Sequence, residues 1–154
     1  MFAGRGPPRV VTQRMADPFD VKRFTARGFG GHGGRLGIGY YAHGLDWVEL
    51  ALPWHADLVG DPEHGVLASG PIITLMDMAT SFSVWQKKGA FVPHATLDLR
   101  VDYLRPATPS RTVIGRGECY RLTRAISFIR GTAHDGDPDD PIAHVAGTFM
   151  NVDA

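Results

Sequence analysis

The residues best placed to do chemistry lie in one apolar segment, residues 67–85, with the sequence LASGPIITLMDMATSFSVW. A single carboxylate, Asp77, stands in its middle between two methionines. On a helix, Thr74, Thr80 and Ser81 would lie three or four residues from Asp77 and form a strip of hydroxyls beside it. Burying a carboxylate is costly unless it is hydrogen-bonded. Asp77 is therefore either an acid satisfied by these hydroxyls and by a partner chain, or a general base or nucleophile, and the local pattern leaves both open.

The start of the same segment offers hydrogen-bond donors. We predict a helix that begins at Pro71, capped by Ser69 or Gly70, and ends near Lys88, where Gly89 follows. The backbone N–H groups of Ser69 and Gly70 would lie at the positive end of the helix dipole and could face a polarised carbonyl. Such donors, with a carboxylate about two turns further on, could attack a carbonyl and stabilise the oxyanion. An ordinary capped helix is the alternative.

Strands are predicted on both sides of this helix. Two precede it, at residues 35–44 and 45–54, and a loop covers residues 55–70. Four follow it, at residues 95–104, 111–123, 124–134 and 142–152. In the first of these four, strict alternation predicts that Leu97, Leu99, Val101 and Tyr103 point inward and Thr96, Asp98, Arg100 and Asp102 point outward.

This order of elements predicts an α+β fold. Strand and helix do not alternate, so a parallel sheet is excluded. The helix is apolar on nearly all sides, so we expect one long central helix surrounded by protein and wrapped by a curved antiparallel sheet of about six strands. Residues 35–154 would form this single domain. Residues 1–34, rich in Gly, Pro and Arg, would form a mostly irregular N-terminal arm with one short helix near residues 17–27 and a flexible loop at 29–37.

Composition excludes several classes of function. The 154 residues carry 16 basic and 16 acidic side chains, and no basic block indicates a nucleic-acid partner. No segment is apolar enough to span a membrane, and the histidines lack metal-ligand spacing. The only cysteine, Cys119, lies in a strand-like run and is expected to be buried and inert. We therefore expect a cytoplasmic protein without a metal.

Residues 58–81, LVGDPEHGVLASGPIITLMDMATS, resemble the signature of hotdog-fold acyl-CoA thioesterases of the phenylacetate-degradation type. That pattern runs Gly-Asn-Pro-x-x-Gly-x-x-His-Gly-Gly, then six residues, then Asp-x-Ala. Residues 96–107 resemble the strand that follows the helix in that family, and residues 147–150 its last strand. The resemblance covers residues 36–151 and implies the hotdog fold.

The resemblance also implies roles for individual residues. Asp77 would be the catalytic acid, which activates water or attacks the thioester itself. Ser69 would supply the oxyanion N–H with Gly70 as the second motif glycine, and the hydroxyls of Ser81 and Thr96 would lie near the acid or the attacking water. Because such enzymes share the site across a dimer interface, a homodimer or a dimer of dimers is implied. No cofactor is needed, since CoA is part of the substrate.

The sequence departs from the family pattern at three positions. The motif His is Ala68, its first Gly is Ser69, and the upstream Asn is Asp61. A backbone N–H survives the change from Gly to Ser, so the oxyanion donor is retained. The literal His-Gly-Gly at residues 32–34 lies before the first strand and is interpreted as a decoy.

The remaining candidates would bind substrate. Asp61, His64 and Ala68 belong to the motif loop, and His64 could replace the missing imidazole or simply be solvated. Arg105 could contact CoA phosphates or lie on the solvated surface. Hydrolysis of an acyl-CoA thioester is the expected function. The alternatives are a non-catalytic hotdog protein that binds acyl-CoA, which Ala68 favours, and a hotdog hydratase or dehydratase, which usually needs the missing His.

Overall fold

The structure is a computed structural model, and it describes residues 19–152. Its helices and strands are, in chain order, α1 (Val21–Thr25), α2 (Gly31–Arg35), β1 (Gly39–His43), β2 (Trp47–Leu52), a 3-10 helix (Ala56–Leu58), β3 (Val59–Asp61), β4 (Val66–Leu67), α3 (Ser69–Lys88), β5 (His94–Tyr103), β6 (Val113–Leu122), β7 (Ile126–His134) and β8 (Ala143–Asn151).

Six strands form one sheet in the order β1-β2-β6-β7-β8-β5, and every neighbouring pair is antiparallel. The long helix α3 packs across β2, β6 and β7 in the middle of this sheet. The predicted α+β architecture, with one central helix against six antiparallel strands, is confirmed. Residues 55–70, predicted as a loop, contain instead the 3-10 helix and a separate hairpin of β3 and β4.

Alternating glycines in the sheet let α3 approach it closely. A Cβ atom on Gly117 would lie 2.4 Å from the backbone of Ala79 and Thr80, and one on Gly115 would lie 2.7 Å from the side chain of Leu75. Both distances are shorter than real Cβ contacts. The backbone of β6 and that of α3 therefore touch at a place where only glycine fits.

The core lies between α3 and the sheet. Val48, Leu50 and Leu52 lie on one face of β2 and are fully buried. Leu75 and Met76 meet them from α3 and are also fully buried. A second, smaller cluster closes the other end and comprises Val84, Cys119, Ile129 and Phe149.

The helix α3 begins two residues earlier than predicted. Ala68 is its N-cap and makes no side-chain hydrogen bond, so neither Ser69 nor Gly70 is the cap. At the other end Gly89 adopts a left-handed conformation with φ of 63°, as the predicted glycine stop requires, because only glycine adopts it without strain. Lys88 precedes it and complements the dipole.

The N-terminal region is more regular than predicted. The short helix α1 lies within the predicted residues 17–27 and is capped by Asp20, whose side chain accepts a hydrogen bond from Arg23 N–H, while residues 17–18 of the prediction lie outside the described residues. The flexible loop predicted at residues 29–37 is wrong for Gly31–Arg35, which form α2. Gly33 packs directly on Met78, so glycine here permits helix contact rather than a loop. The domain boundary after residue 34 stays a prediction.

A bulge in β5 overturns part of its predicted alternation. The register with β8 shifts between Thr96 and Asp98, so Leu97 is an extra residue and is 53% exposed rather than inward. Thr96, predicted to point outward, contacts α3 instead. Beyond the bulge Leu99 and Val101 pack against the core as predicted, but the inward prediction is wrong for Tyr103, which is 43% exposed near the end of the strand. Across residues 19–152 no helix is both long and apolar enough to cross a membrane.

Candidate functional site

One ridge of α3 is left uncovered by the sheet. Ile73 on this ridge is 41% exposed, Gly70 is exposed, and Asp77 and Ser81 are half-buried. The ridge runs between α2 on one side, where Gly33 packs on Met78, and β5 on the other. Within one chain, therefore, the expectation that protein surrounds the helix fails along the line that carries Asp77.

The carboxylate of Asp77 is held by a hydroxyl from β5. Its Oδ1 accepts a hydrogen bond from Thr96 Oγ1 at 2.9 Å. Its Oδ2 makes no hydrogen bond within residues 19–152. The predicted strip of neighbouring hydroxyls does not serve the acid: Thr80 Oγ1 donates to the Met76 carbonyl at 2.8 Å and Thr74 Oγ1 to the Gly70 carbonyl at 3.1 Å. Asp77 is thus anchored through one oxygen and open at the other.

A second contact of the same kind lies one turn further along α3. Ser81 Oγ and His94 Nε2 are 2.7 Å apart. Burial lowers the pKa of His94 and Lys88 lowers it further, while the Val92 carbonyl and Asp77 act in the opposite direction. His94 is not among the site residues predicted from the sequence, although its position two residues before Thr96 on a strand puts both side chains on one face.

The start of α3 presents two donors. Ser69 and Gly70 are exposed, and neither backbone N–H is bonded to another described residue. Tyr103 holds this end in place, since its hydroxyl donates to the Ser69 carbonyl at 3.2 Å and burial raises its pKa. Ala68 N–H donates to the Leu58 carbonyl at 2.8 Å. A cavity of about 140 Å³ adjoins Ser69 and is also lined by Tyr103 and Pro106.

Asp61 and His64 face each other at the turn between β3 and β4. Asp61 Oδ2 and His64 Nδ1 are 2.8 Å apart, and this contact holds the pKa of Asp61 below its usual range. The Asp61 side chain is 49% exposed and that of His64 is 67% exposed. Neither touches Asp77 in the described part of the chain. Their predicted roles in substrate binding stay predictions.

Arg105 is engaged in a salt-bridge network. It donates two hydrogen bonds to the carboxylate of Asp135, at 2.7 and 3.1 Å, and its Nε lies 3.0 Å from Asp140. The network raises the pKa of Arg105 and holds that of Asp135 well below its usual range. Arg105 thus joins the loop after β5 to the loop after β7. A contact with CoA phosphates stays a prediction, and it would have to compete with these carboxylates.

The structure also shows where the His-Gly-Gly at residues 32–34 and Cys119 lie. The His-Gly-Gly at residues 32–34 lies on α2, and the fold brings His32 Nε2 within 3.4 Å of Thr74 Oγ1 on α3. His32 therefore lies close to the uncovered ridge of α3, although it is 42 residues from Thr74 in the sequence. Cys119 is fully buried, and burial raises its pKa to about 11, as expected for an inert thiol. No cluster among residues 19–152 has the three or more ligands that could hold a metal ion.

With this geometry in place, comparison with known proteins identifies the family. The sequence profile described as "Thioesterase superfamily" matches residues 64–142, about half of the chain. A protein from Pseudomonas aeruginosa of known structure is 42% identical over 79% of this chain and 90% of its own, with a TM-score of 0.72. This chain belongs to the thioesterase superfamily. None of the curated proteins compared with it matches.

More distant structures share the fold. A thioesterase from Haemophilus influenzae is 22% identical, covers 84% of this chain and 86% of its own, and has a TM-score of 0.70. The E. coli PaaI protein, from the phenylacetic acid degradation operon, is 13% identical over 78% of this chain and 83% of its own, with a TM-score of 0.68. The hotdog fold that the motif implied is therefore confirmed.

Proposed function

We propose that this hotdog protein hydrolyses an acyl-CoA thioester to a carboxylic acid and free CoA. Membership of the thioesterase superfamily gives the class of bond. The observation that carries the proposal is the state of Asp77, whose Oδ1 is fixed by Thr96 while Oδ2 faces an uncovered ridge. Because Asp77 is only half-buried, its Oδ2 stays accessible to a water molecule or to the substrate carbonyl, while the bond to Thr96 fixes the direction of the carboxylate.

Two routes use Asp77. As a general base, Oδ2 takes a proton from water while the water oxygen bonds to the thioester carbonyl carbon. As a nucleophile, Oδ2 bonds to that carbon itself and water later hydrolyses the mixed anhydride. In both routes an oxyanion forms, the C–S bond breaks, and the CoA thiolate leaves and is protonated. In this proposal the hydroxyl of Ser81, one turn beyond Asp77, binds the attacking water.

The oxyanion donors are the N–H groups of Ser69 and Gly70. Along a helix, Ser69 and Asp77 are separated by eight residues, or about 12 Å. One carbonyl group cannot lie within about 3 Å of both. Asp77 of one chain must therefore work with Ser69 and Gly70 of a second chain whose α3 runs antiparallel to the first. The exposed Ile73 on the same ridge would be covered in such a homodimer, which could pair further into a dimer of dimers.

The altered motif is compatible with this chemistry. Ala68 supplies no imidazole, but the donors that act on the oxyanion are backbone groups, which do not depend on side-chain type. The hairpin that carries Asp61 and His64 leads directly into the start of α3, which supports the proposal that these residues contact the substrate near Ser69. No cofactor is required, because CoA enters as part of the substrate.

The test measures free-thiol release from a panel of acyl-CoAs. We expect turnover by the wild type and at least about a hundredfold loss in Asp77→Asn, the scale of an essential acid–base group. Asp102→Asn, a carboxylate on β5 that is 50% exposed and pairs with Arg100, is the matched control and should retain activity. Binding of CoA esters with no turnover would instead indicate a non-catalytic binding protein. Loss of enoyl conjugation without thiol release would indicate a hydratase.

A single turnover in H₂¹⁸O, with enzyme in excess, can identify the nucleophilic route, because only that route can give an unlabelled first product. If Asp77 acts as a base, the product carboxylate carries ¹⁸O from the first turnover. If Asp77 is a nucleophile and water attacks the Asp77 carbon of the anhydride, the first product carries the unlabelled oxygen of Asp77, and the label appears on the protein.

A further inference from the structure

Two parallel side-chain contacts join α3 to β5. Asp77 and Ser81 are four residues apart on the helix and share one face. His94 and Thr96 are two residues apart on the strand before its bulge, and also share one face. Thr96 Oγ1 lies 2.9 Å from Asp77 Oδ1, and His94 Nε2 lies 2.7 Å from Ser81 Oγ. The four residues thus form two adjacent hydrogen-bonded pairs between α3 and β5.

In the pair formed by His94 and Ser81, the His94 ring packs between two aromatic side chains. The His94 ring lies 5.0 Å from Trp85 and 4.9 Å from Phe149, centroid to centroid. Its Nδ1 is buried and makes no well-formed hydrogen bond to a described residue. The charged groups that act on the ring are Lys88 and Asp77, both on α3. Lys88 itself donates to Asn151 Oδ1 at 2.6 Å.

We propose that His94 is a positioning residue of the hydrolysis, which fixes the Ser81 hydroxyl beside Asp77 so that this hydroxyl holds the attacking water near Oδ2. This role rests on the proposed function. A hydroxyl alone can rotate freely, and a water bound to it would have no fixed direction. With one side of Ser81 Oγ engaged by the imidazole, the remaining hydrogen-bonding capacity of the hydroxyl is directed away from His94.

The proposal does not depend on the tautomer of His94. A neutral imidazole with its proton on Nε2 donates to Ser81, and the serine proton is then free to reach the water. A neutral imidazole with its proton on Nδ1 accepts a hydrogen bond from the Ser81 hydroxyl at Nε2, and the lone pairs of Oγ then accept a hydrogen bond from the water. His94 exchanges no proton with the substrate in either case, because the proton of the water goes to Asp77.

Two replacements of His94 separate hydrogen bonding from packing. His94→Phe keeps a ring against Trp85 and Phe149 but has no nitrogen. His94→Gln loses the ring but can place an amide group near the position of Nε2. If positioning is the role, we expect kcat to fall about tenfold in His94→Phe, the value of one hydrogen bond, with KM nearly unchanged, and to be largely rescued in His94→Gln.

A double variant tests whether His94 acts through Ser81. We expect Ser81→Ala with His94→Phe to be no slower than Ser81→Ala alone, because the hydroxyl that His94 positions is already gone. His144→Phe, on the exposed part of β8, is the matched control and should match the wild type. Thermal unfolding of each variant checks that it is folded.

Three outcomes would overturn the proposal. Wild-type kcat in folded His94→Phe, with a loss in His94→Gln, would show that only the ring matters. Multiplicative losses in the double variant would show that His94 does not act through Ser81. If the wild type releases thiol from no acyl-CoA, the proposed function fails and the role of His94 fails with it. In the first two cases turnover by the wild type shows that hydrolysis itself stands.

Discussion

The close approach of β6 to α3 makes Gly117→Ala a test of how the sheet positions the site. The new Cβ would lie 2.4 Å from the backbone of Ala79 and Thr80, whereas ordinary contact begins at 3.4 Å. Backbone atoms cannot rotate away as a side chain can. The helix must therefore move off the sheet by about 1.0 Å, the difference 3.4 − 2.4, at a point between Asp77 and Ser81.

Both stability and activity should respond. Overpacking of this size costs about 1–3 kcal/mol of unfolding free energy. A displacement of about 1 Å at the reacting groups costs up to about a hundredfold in rate. We therefore expect Gly117→Ala to lower the unfolding free energy by about 2 kcal/mol and kcat by more than about tenfold. The assays are urea unfolding and thiol release from the best acyl-CoA of the panel.

A matched control exists in β1. A Cβ on Gly39 would have no atom within 4 Å, and its φ is not in the left-handed region. Gly39→Ala should therefore remain within about 0.5 kcal/mol of the wild type, as surface substitutions do, and keep its activity. If Gly117→Ala is as stable and as active as Gly39→Ala, then α3 is not seated on β6 and the positioning argument is refuted.

Three further predictions concern titratable groups. Because burial lowers the pKa of His94 below its ordinary value of about 6.5, the unfolding free energy should fall as pH drops below about 6.5, and urea unfolding from pH 5 to 7.5 should show a smaller slope in His94→Phe. Asp135→Asn breaks the largely buried ion pair with Arg105 and should lower the unfolding free energy at pH 7 by about 3 kcal/mol, again measured by urea unfolding. Because the pKa of Asp135 is lower in the folded protein than in the unfolded chain, the wild type loses stability as pH falls below about 4, and this loss should be smaller in Asp135→Asn. With a pKa of about 11, Cys119 is only about one part in a thousand thiolate at pH 8, so a thiol reagent should modify it at the rate of unfolding, and rapid labelling in native buffer would contradict its burial.

Elements with a regular hydrophobic period were predictable from the sequence. Residues 45–54 were predicted as a strand, and β2 lies within them with every second residue from Val48 to Leu52 fully buried. The long apolar run with a glycine stop predicted α3 to within two residues. These predictions succeed because the hydrophobic period and the glycine stop are local properties, which do not depend on what the element packs against.

Close contacts between elements were harder to predict. Gly33 was interpreted as part of a flexible loop, but it lies where α2 touches Met78 on α3. In the same way, Gly115 and Gly117 weaken the propensity of β6 for a strand while permitting α3 to lie on it. Glycine serves both as a loop residue and as a contact residue, and only the position of the partner element distinguishes the two.

The bulge in β5 explains why the site was only half visible in the sequence. The apolar residues at 97, 99, 101 and 103 suggested one continuous inward face, which would send Thr96 and His94 to solvent. Leu97 is the extra residue, so the residues before it alternate between the two faces of the sheet in the opposite order to that predicted. The second half of the strand therefore packs on the core, while His94 and Thr96 in its first half contact Ser81 and Asp77. A strand without the bulge could do only one of these. The hydrogen bonds that anchor Asp77 and Ser81 thus depend on one inserted residue, which no hydrophobic pattern reveals.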